Sequence, residues 1–391
     1  MTPRDASPWF SAHTGKTKMN MNTNAFLRSA AMVMMAASVG LLGCGSGSES
    51  ESESESAPTT GAATNSTGAT TAPTTGETTA PTTGETTTPT TGETTETTGE
   101  SCDGAPLAAN KDLALSVSLD VFLANAPADG VLSKDFVAHF PSGQPDQDLD
   151  GFLGFATQFR AALPDAAFVF THVIADGDFV ALRYIGTGTH KGELFGVPAT
   201  NKGLKWEGMV VRRIASGLVV EEWNEPDNAG LFAQLTGGAP PQAPHAVDHQ
   251  GAGDCATTVI DANKEIARRV SKEVVLEGKA PDELMSPDFI MHNPNGIPDA
   301  DLAGFLGFNA GFRAAFPDAA FTFTHEIGEG GLVLLRYTAT GTHSAEFFGV
   351  PATGKAIAWE GAVIRSIDAA KAVEEWNAPD IAGIMAQITA P

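Results

Sequence analysis

Gly151-Phe152-Leu153-Gly154-Phe155 and Pro164-Asp165-Ala166-Ala167-Phe168 return as Gly304-Phe305-Leu306-Gly307-Phe308 and Pro317-Asp318-Ala319-Ala320-Phe321, each displaced by 153 residues. From Cys102 and Cys255 onward the register holds without a gap to the end of the chain, and more than half of the paired positions are identical. Solenoid units repeat at roughly 20–50 residues, so a period this long is a duplicated domain. Two domains of ordinary size fit the length. The boundaries read as 105–236 and 255–391, with 237–254, which carries Pro240-Pro241 and Pro244, as a linker.

Both units read alike. Ala108 to Asn125, and Lys264 to Glu277 in the second copy, form a helix, and Pro127 to Leu132 a short turn. Asp148 to Leu163 places Phe152, Leu153, Phe155, Phe159 and Leu163 at helical spacing, and Pro164 stops it. Strand-like runs follow at Ala167–Ile174, Phe179–Thr189, Gly203–Ile214 and Leu218–Trp223, with Asp176-Gly177 and Ser216-Gly217 as hairpin turns. A short helix, Asp227 to Leu235, closes the unit. Helices first and antiparallel strands later predict an α+β fold with helices on one face of a curved sheet.

The first hundred residues are of another kind. Ser29 to Leu42 is an apolar stretch behind Arg28, too short to span a bilayer and of signal-peptide length. Leu41-Leu42-Gly43-Cys44 resembles a bacterial lipobox, which makes 1–44 a lipoprotein signal and Cys44 the lipidated residue. Residues 1–20 fit no signal pattern, so translation is expected to start at Met19 or Met21. By resemblance to enterobacterial sorting, Gly45 rather than Asp after the Cys implies the outer membrane. Residues 45–104 run from a Ser-Glu alternation into the octad Thr71-Ala72-Pro73-Thr74-Thr75-Gly76-Glu77-Thr78 and its copies. Nothing there can bury apolar surface, so a disordered tether is expected, with a reach on the order of 40 Å. The formal net charge of −24 and the absence of a basic cluster exclude nucleic acid as a partner, and leave the lipid as the one route to a membrane.

A set of motifs in the second unit carries a family resemblance. In order they are Ser286-Pro287-Asp288-Phe289-Ile290-Met291-His292, Phe312-Arg313-Ala314-Ala315-Phe316-Pro317-Asp318, Gly341-Thr342-His343, Glu346-Phe347-Phe348-Gly349-Val350-Pro351-Ala352-Thr353-Gly354 and Glu374-Glu375-Trp376-Asn377-Ala378-Pro379-Asp380. Together they resemble the SnoaL-like (polyketide cyclase, ester cyclase) branch of the NTF2-like superfamily, over about 130 residues of each unit. The resemblance implies two tandem cone-shaped folds, each with an apolar pocket between helices and sheet. For some members it implies cofactor-free acid/base closure of a ring on a polyketide ester. It also places the family's acid/base Asp at Asp380 and Asp227, and lines the pocket near His292 and His139.

A carboxylate in an apolar pocket suits removal of a proton α to a carbonyl, because desolvation raises its pKa. An Asp opening a short helix is equally an ordinary N-cap. His292 and His139 are read as pocket electrophiles or as structural hydrogen-bonders. His343 and His190 end a strand and rim the mouth, or merely close a loop; His325 and His172 are expected on the sheet surface. Arg336 and Arg183 orient a substrate oxygen or pair internally with Glu360 and Glu207. Trp376, Trp223, Trp359 and Trp206 are pocket wall or core, and Asp318 and Asp165 are turn residues. His292-Asn293-Pro294-Asn295 is more polar than His139-Phe140-Pro141-Ser142, which makes the second pocket the active one if only one is.

No metal-ligand spacing, phosphate loop or nucleophile elbow is present in the sequence, so no cofactor is expected. Cys102 and Cys255 occupy equivalent positions and can bridge if their Cα atoms come within ~7 Å; two free thiols is the other reading. The expectation is an envelope lipoprotein whose two domains pair as a pseudo-dimer. It acts as a cyclase or isomerase on a small apolar carbonyl compound. The alternatives are a module that only binds a hydrophobic small molecule, and a surface interaction protein whose pockets are filled by side chains.

Overall fold

The computed structural model describes residues 102, 104–141, 143–238, 254–294 and 298–391. The signal segment, Cys44, the tether and most of the 237–254 linker lie outside the described residues, as do Ser142 and Asn295.

Each repeat opens with a helix, α1 Ala105–Ser116, continued by a π-helical turn Val117–Leu123. Strand β1 Leu132–His139 and the two-residue β2 Gln147–Asp148 follow, then α2 Leu149–Ala162. Next come β3 Ala167–Asp176, β4 Phe179–Thr189, β5 Gly203–Ala215, β6 Leu218–Pro226 and α3 Asn228–Leu235. The second repeat reproduces this as α4 Thr257–Arg269 with a π-turn Val270–Leu276, β7 Met285–His292, β8 Ala300–Asp301, α5 Leu302–Ala315, β9 Ala320–Glu329, β10 Leu332–Thr342, β11 Ala356–Asp368, β12 Lys371–Pro379 and α6 Ile381–Thr389. Asp148 and Asp301 start α2 and α5 by accepting the N–H of Gly151 and Gly304.

Each sheet has six strands, ordered β2-β1-β6-β5-β4-β3 and β8-β7-β12-β11-β10-β9. The pairings are antiparallel except β1 with β6 and β7 with β12, which run parallel. That parallel pair joins the first strand of the unit to the last, and it was not expected from the sequence. Alternation sorts the side chains. In the second repeat Met285, Phe289, Val333, Leu335, Trp359 and Val363 face the helices. Leu332, Leu334, Ala362, Ile364 and Trp376 face the other way.

That other face is covered too. Ile174, Ala181, Met209 and Val211 of the first sheet pack with Ile327, Leu334, Ile364 and Trp376 of the second in one apolar cluster. Arg336 Nε donates to Glu225 Oε1 at 2.9 Å, from one repeat to the other. Lys111 reaches Glu329 at 2.5 Å and Lys264 pairs with Asp176. Cys102 and Cys255 are joined by a disulfide, with Cα atoms 5.3 Å apart.

Candidate functional site

The two cones are not filled alike. In the first, Phe122 lies 5.1–6.1 Å from Phe152, Phe155, Phe159 and Phe168, and Phe140 meets Phe155 at 5.9 Å. These rings, with Trp206 and Tyr184, make one continuous core from α1 to α3. In the second repeat Val275 stands at the position of Phe122, Asn293 at that of Phe140 and Asn309 at that of Ala156. There the core divides into two clusters, one around Phe289 and Phe305 and one around Phe312, Phe316 and Trp359, with Phe321 touching both. Phe308, the counterpart of Phe155, is left 47% exposed.

Polar groups also stand on the helix-facing side of the second repeat. Asn309 is buried on the inner face of α5 and gives its amide to the Phe305 carbonyl at 2.9 Å. Tyr337 is half-buried, its ring stacked on Phe321 at 4.8 Å. A Cβ at residue 361 would stand 2.6 Å from its hydroxyl oxygen, so Gly361 is what lets the ring lie across β11. Burial pushes the Tyr337 hydroxyl well above the usual phenol range, so it remains a hydrogen-bond donor. Beside it on the same face, Asn377 donates to Glu375 Oε1 at 2.7 Å. The other oxygen of Glu375 accepts from Arg365 Nε at 2.6 Å, and Arg365 reaches the carbonyl of Ala267 and the hydroxyl of Ser271. In the first repeat Tyr184 instead meets Asn224 at 3.4 Å.

Sequence reasoning passed over Tyr337, Asn309, Asn377 and the Arg365–Glu375 pair. A signal existed for the first: the chain has two tyrosines, at repeat-equivalent positions within an apolar strand. Asn309 was legible only as a difference from Ala156.

Asp227 and Asp380 open α3 and α6. Each side chain accepts the N–H of the residue three further on, Gly230 and Gly383, at 2.8 Å. Neither points into open solvent: Asp380 is buried and Asp227 half-buried. Burial pushes the Asp227 carboxyl up to about 7, against the Gly230 hydrogen bond and with help from the nearby Glu207 charge.

Several expected pocket residues lie on the opposite side of the sheet. His139 and His292 do not line the cones. They extend from the outer face of β1 and β7 and stack on Trp223 and Trp376 at 5.3 and 4.9 Å. His139 is held between Asp146 at 2.9 Å and Glu221 at 3.0 Å, and His292 contacts Asp299 at 3.0 Å. Both tryptophans belong to the cluster shared by the two sheets, because residues 223 and 376 alternate with the inward Glu222 and Glu375. Trp206 and Trp359 do lie inside, in the cores. Arg183 and Arg336 are buried on the outer face, paired with Glu207 and Glu360.

His172 and His325 are not free sheet surface either. They meet Trp376 and Trp223 of the opposite repeat at 4.3 and 4.2 Å. Burial, and then the Arg336 charge, push His325 down to about 4. His190 and His343 are buried at the ends of β4 and β10, Nδ1 on the hydroxyls of Thr200 and Thr353 at 3.0 Å. Burial lowers both, against the Gly192 and Ala345 backbone. Asp165 and Asp318 hold Thr189 and Thr342 through backbone and hydroxyl, bonds that keep their carboxyls below the usual range.

Two hollows lie between the repeats. One, of about 300 Å³, is lined by Phe179, Thr324, His325 and Ile327, with Asp176, Lys264 and Glu326 at its edge. The other, of about 10 Å³, lies beside Arg183, Glu207 and Asp227. Among the described residues no group of three or more His, Cys, Asp or Glu is arranged to hold a metal ion. No helix among them is long and apolar enough to cross a membrane.

The family model described as SnoaL-like polyketide cyclase matches twice, over residues 124–235 and 267–388. Among solved structures, the chain is similar to AclR, a candidate hydroxylase from Streptomyces galilaeus, at 26% identity over 33% of this chain and 97% of that one, TM-score 0.30. It is similar to IdmH, a candidate polyketide cyclase from Streptomyces antibioticus, at 27% identity over 32% and 98%, TM-score 0.30. A candidate polyketide cyclase from Acidithiobacillus ferrooxidans is 30% identical over 32% of this chain and 94% of that one, TM-score 0.30. No curated protein matches the chain.

Proposed function

This chain belongs to the SnoaL-like polyketide cyclase family, and from that premise we propose that its second repeat takes a small apolar carbonyl compound into the cone and rearranges it by cofactor-free acid/base chemistry. The first repeat, its cone filled with rings, is the support. One observation carries the reading: Val275, Asn293 and Asn309 replace Phe122, Phe140 and Ala156, and the second repeat lacks the single continuous ring core of the first. Fold alone does not decide chemistry, so the roles rest on these side chains.

In this reading Asp380 removes a proton α to the substrate carbonyl. The electron pair moves to the carbonyl oxygen, where the Tyr337 hydroxyl stabilises the enolate by donating a hydrogen bond. The enolate carbon then attacks a second carbonyl of the same molecule, whose oxygen takes the proton from Asp380, or the enolate takes that proton back at another carbon. Asp380 accepts the N–H of Gly383 through Oδ1, which fixes its carboxyl at the start of α6. The His292 role as pocket electrophile is not kept, because its ring lies on the far face of the sheet.

The second reading is a module that binds such a compound without turning it over. It is favoured by the helix-capping bonds of Asp227 and Asp380.

The test is deuterium uptake at the α-carbon of a panel of cyclic ketones and β-keto esters in D2O, with the full chain. Wild type and Asp227→Asn should exchange at the same rate, and Asp380→Asn 10²–10⁴-fold more slowly. Asn caps a helix about as well as Asp, so the variant isolates ionisation from folding. Saturable binding without exchange in the wild type would leave the binding module; equal exchange in Asp380→Asn would remove Asp380 from the chemistry.

We also propose that the repeats form an intrachain pseudo-dimer, which the shared apolar cluster, the Arg336–Glu225 contact and the disulfide support. A lipid on Cys44, with the pair held outside the cytoplasm at a bacterial membrane, is part of the same proposal. Metabolic labelling with a palmitate analogue, lost in Cys44→Ala, tests it.

A further inference from the structure

Arg183 and Arg336 are repeat equivalents, and the structure treats them differently. Both donate one terminal nitrogen to the Thr of the neighbouring strand, Thr171 or Thr324, and the other to Glu207 or Glu360. Arg336 spends its third donor, Nε, on the carboxyl of Glu225 at 2.9 Å. The counterpart of Glu225 is Ala378. Arg183, only 5% exposed, therefore has no hydrogen bond from Nε among the described residues. In that place lies the smaller hollow, lined by Arg183, Glu207, Asp227, Asn377, Ala378 and Pro379 among others. Arg336, Glu360 and Asp380, the repeat equivalents of the first three, lie close to the Glu225 carboxyl, and Ala378 is the equivalent of Glu225 itself. The hollow is the same site with the carboxyl left out.

We propose that Arg183 anchors a second small-molecule site, between the two sheets, which takes the carboxyl group of a small organic acid as Arg336 takes that of Glu225. A buried guanidinium with an unused N–H is a strong and directional partner for such a group. In the occupied copy burial, Glu360 and Asp380 push the Glu225 carboxyl up to about 8 against the pull of Arg336. The size sets the class: a hollow of about 10 Å³ leaves no room for a long chain, so the acid is of the formic or acetic kind.

The experiment is titration of the full chain with sodium acetate against sodium chloride at equal ionic strength and pH 6, followed on the arginine Nε–H resonances. Acetate should move the Arg183 signal saturably and leave Arg336 in place. Ala378→Glu, which supplies its own carboxyl, should weaken the response at least tenfold. Glu225→Ala should open the mate and give a second saturable response at Arg336, a gain of signal that misfolding cannot imitate. A linear response equal to that of chloride, meaning the hollow holds water only, would overturn the site. So would an unchanged response in Ala378→Glu. Neither result bears on the exchange chemistry of Asp380.

Discussion

Glu225→Gln isolates one buried ionisation. Glu225 is 3% exposed, and its carboxyl is pushed up to about 8 by burial first, against Arg336. In the unfolded chain it titrates near 4.5. Between those two pH values the folded state binds the proton and the unfolded state releases it. The stability this group confers is therefore full below pH 4.5 and is lost as pH rises through 8. Each pH unit of that interval is worth about 1.4 kcal/mol, on the order of 3 kcal/mol by pH 7 and 5 kcal/mol by pH 8. Gln keeps an oxygen for Arg336 Nε and cannot ionise. The variant should match the wild type within about 1 kcal/mol at pH 4 and exceed it by several kcal/mol at pH 8. Melting should rise by roughly 2 °C for each kcal/mol. Calorimetry of both full chains at pH 4, 6 and 8 gives the difference curve, from which the titrations of Asp227, Asp165 and Asp318 cancel. A constant offset across pH, or a variant less stable at pH 8, would show that Glu225 is ionised in the folded protein and that the Arg336 contact is a true ion pair.

Val275→Phe restores the ring of the first repeat and should abolish saturable binding in the second cone, with unfolding in urea unchanged or shifted to higher denaturant. The reciprocal Phe122→Val should cost about 2 kcal/mol, read in the same urea transition. Serine at both Cys102 and Cys255 opens a loop that spans a 153-residue separation; the chain-entropy cost is ~5 kcal/mol, and calorimetry should show a lower melting temperature that reductant no longer alters. Gly361→Ala puts a methyl 2.6 Å from the Tyr337 oxygen, so it should destabilise by about 1–3 kcal/mol and disturb exchange while the equivalent strand of the first repeat stays intact.

Much of the architecture was legible because its causes are local. The duplication, the helix of Phe152 and Phe159, the hairpins at Gly177 and Gly217, and the helix starts at Asp227 and Asp380 all follow from spacing and side-chain chemistry within a few tens of residues. Period-two alternation also separated Trp223 from Glu222, and Trp376 from Glu375. It could not say which of each pair looks into a cone. In a sheet with one wet face the polar side declares itself; here the helices cover one face and the second repeat covers the other, so both sides are rich in apolar residues. Tertiary packing alone put His139, His292, Trp223 and Trp376 between the repeats, laid β1 parallel to β6, brought Cys102 to Cys255, and gave Glu225 to Arg336 while leaving Arg183 beside a hollow. Those outcomes depend on contacts more than a hundred residues apart in most cases, whose geometry is fixed only when the two sheets close on each other.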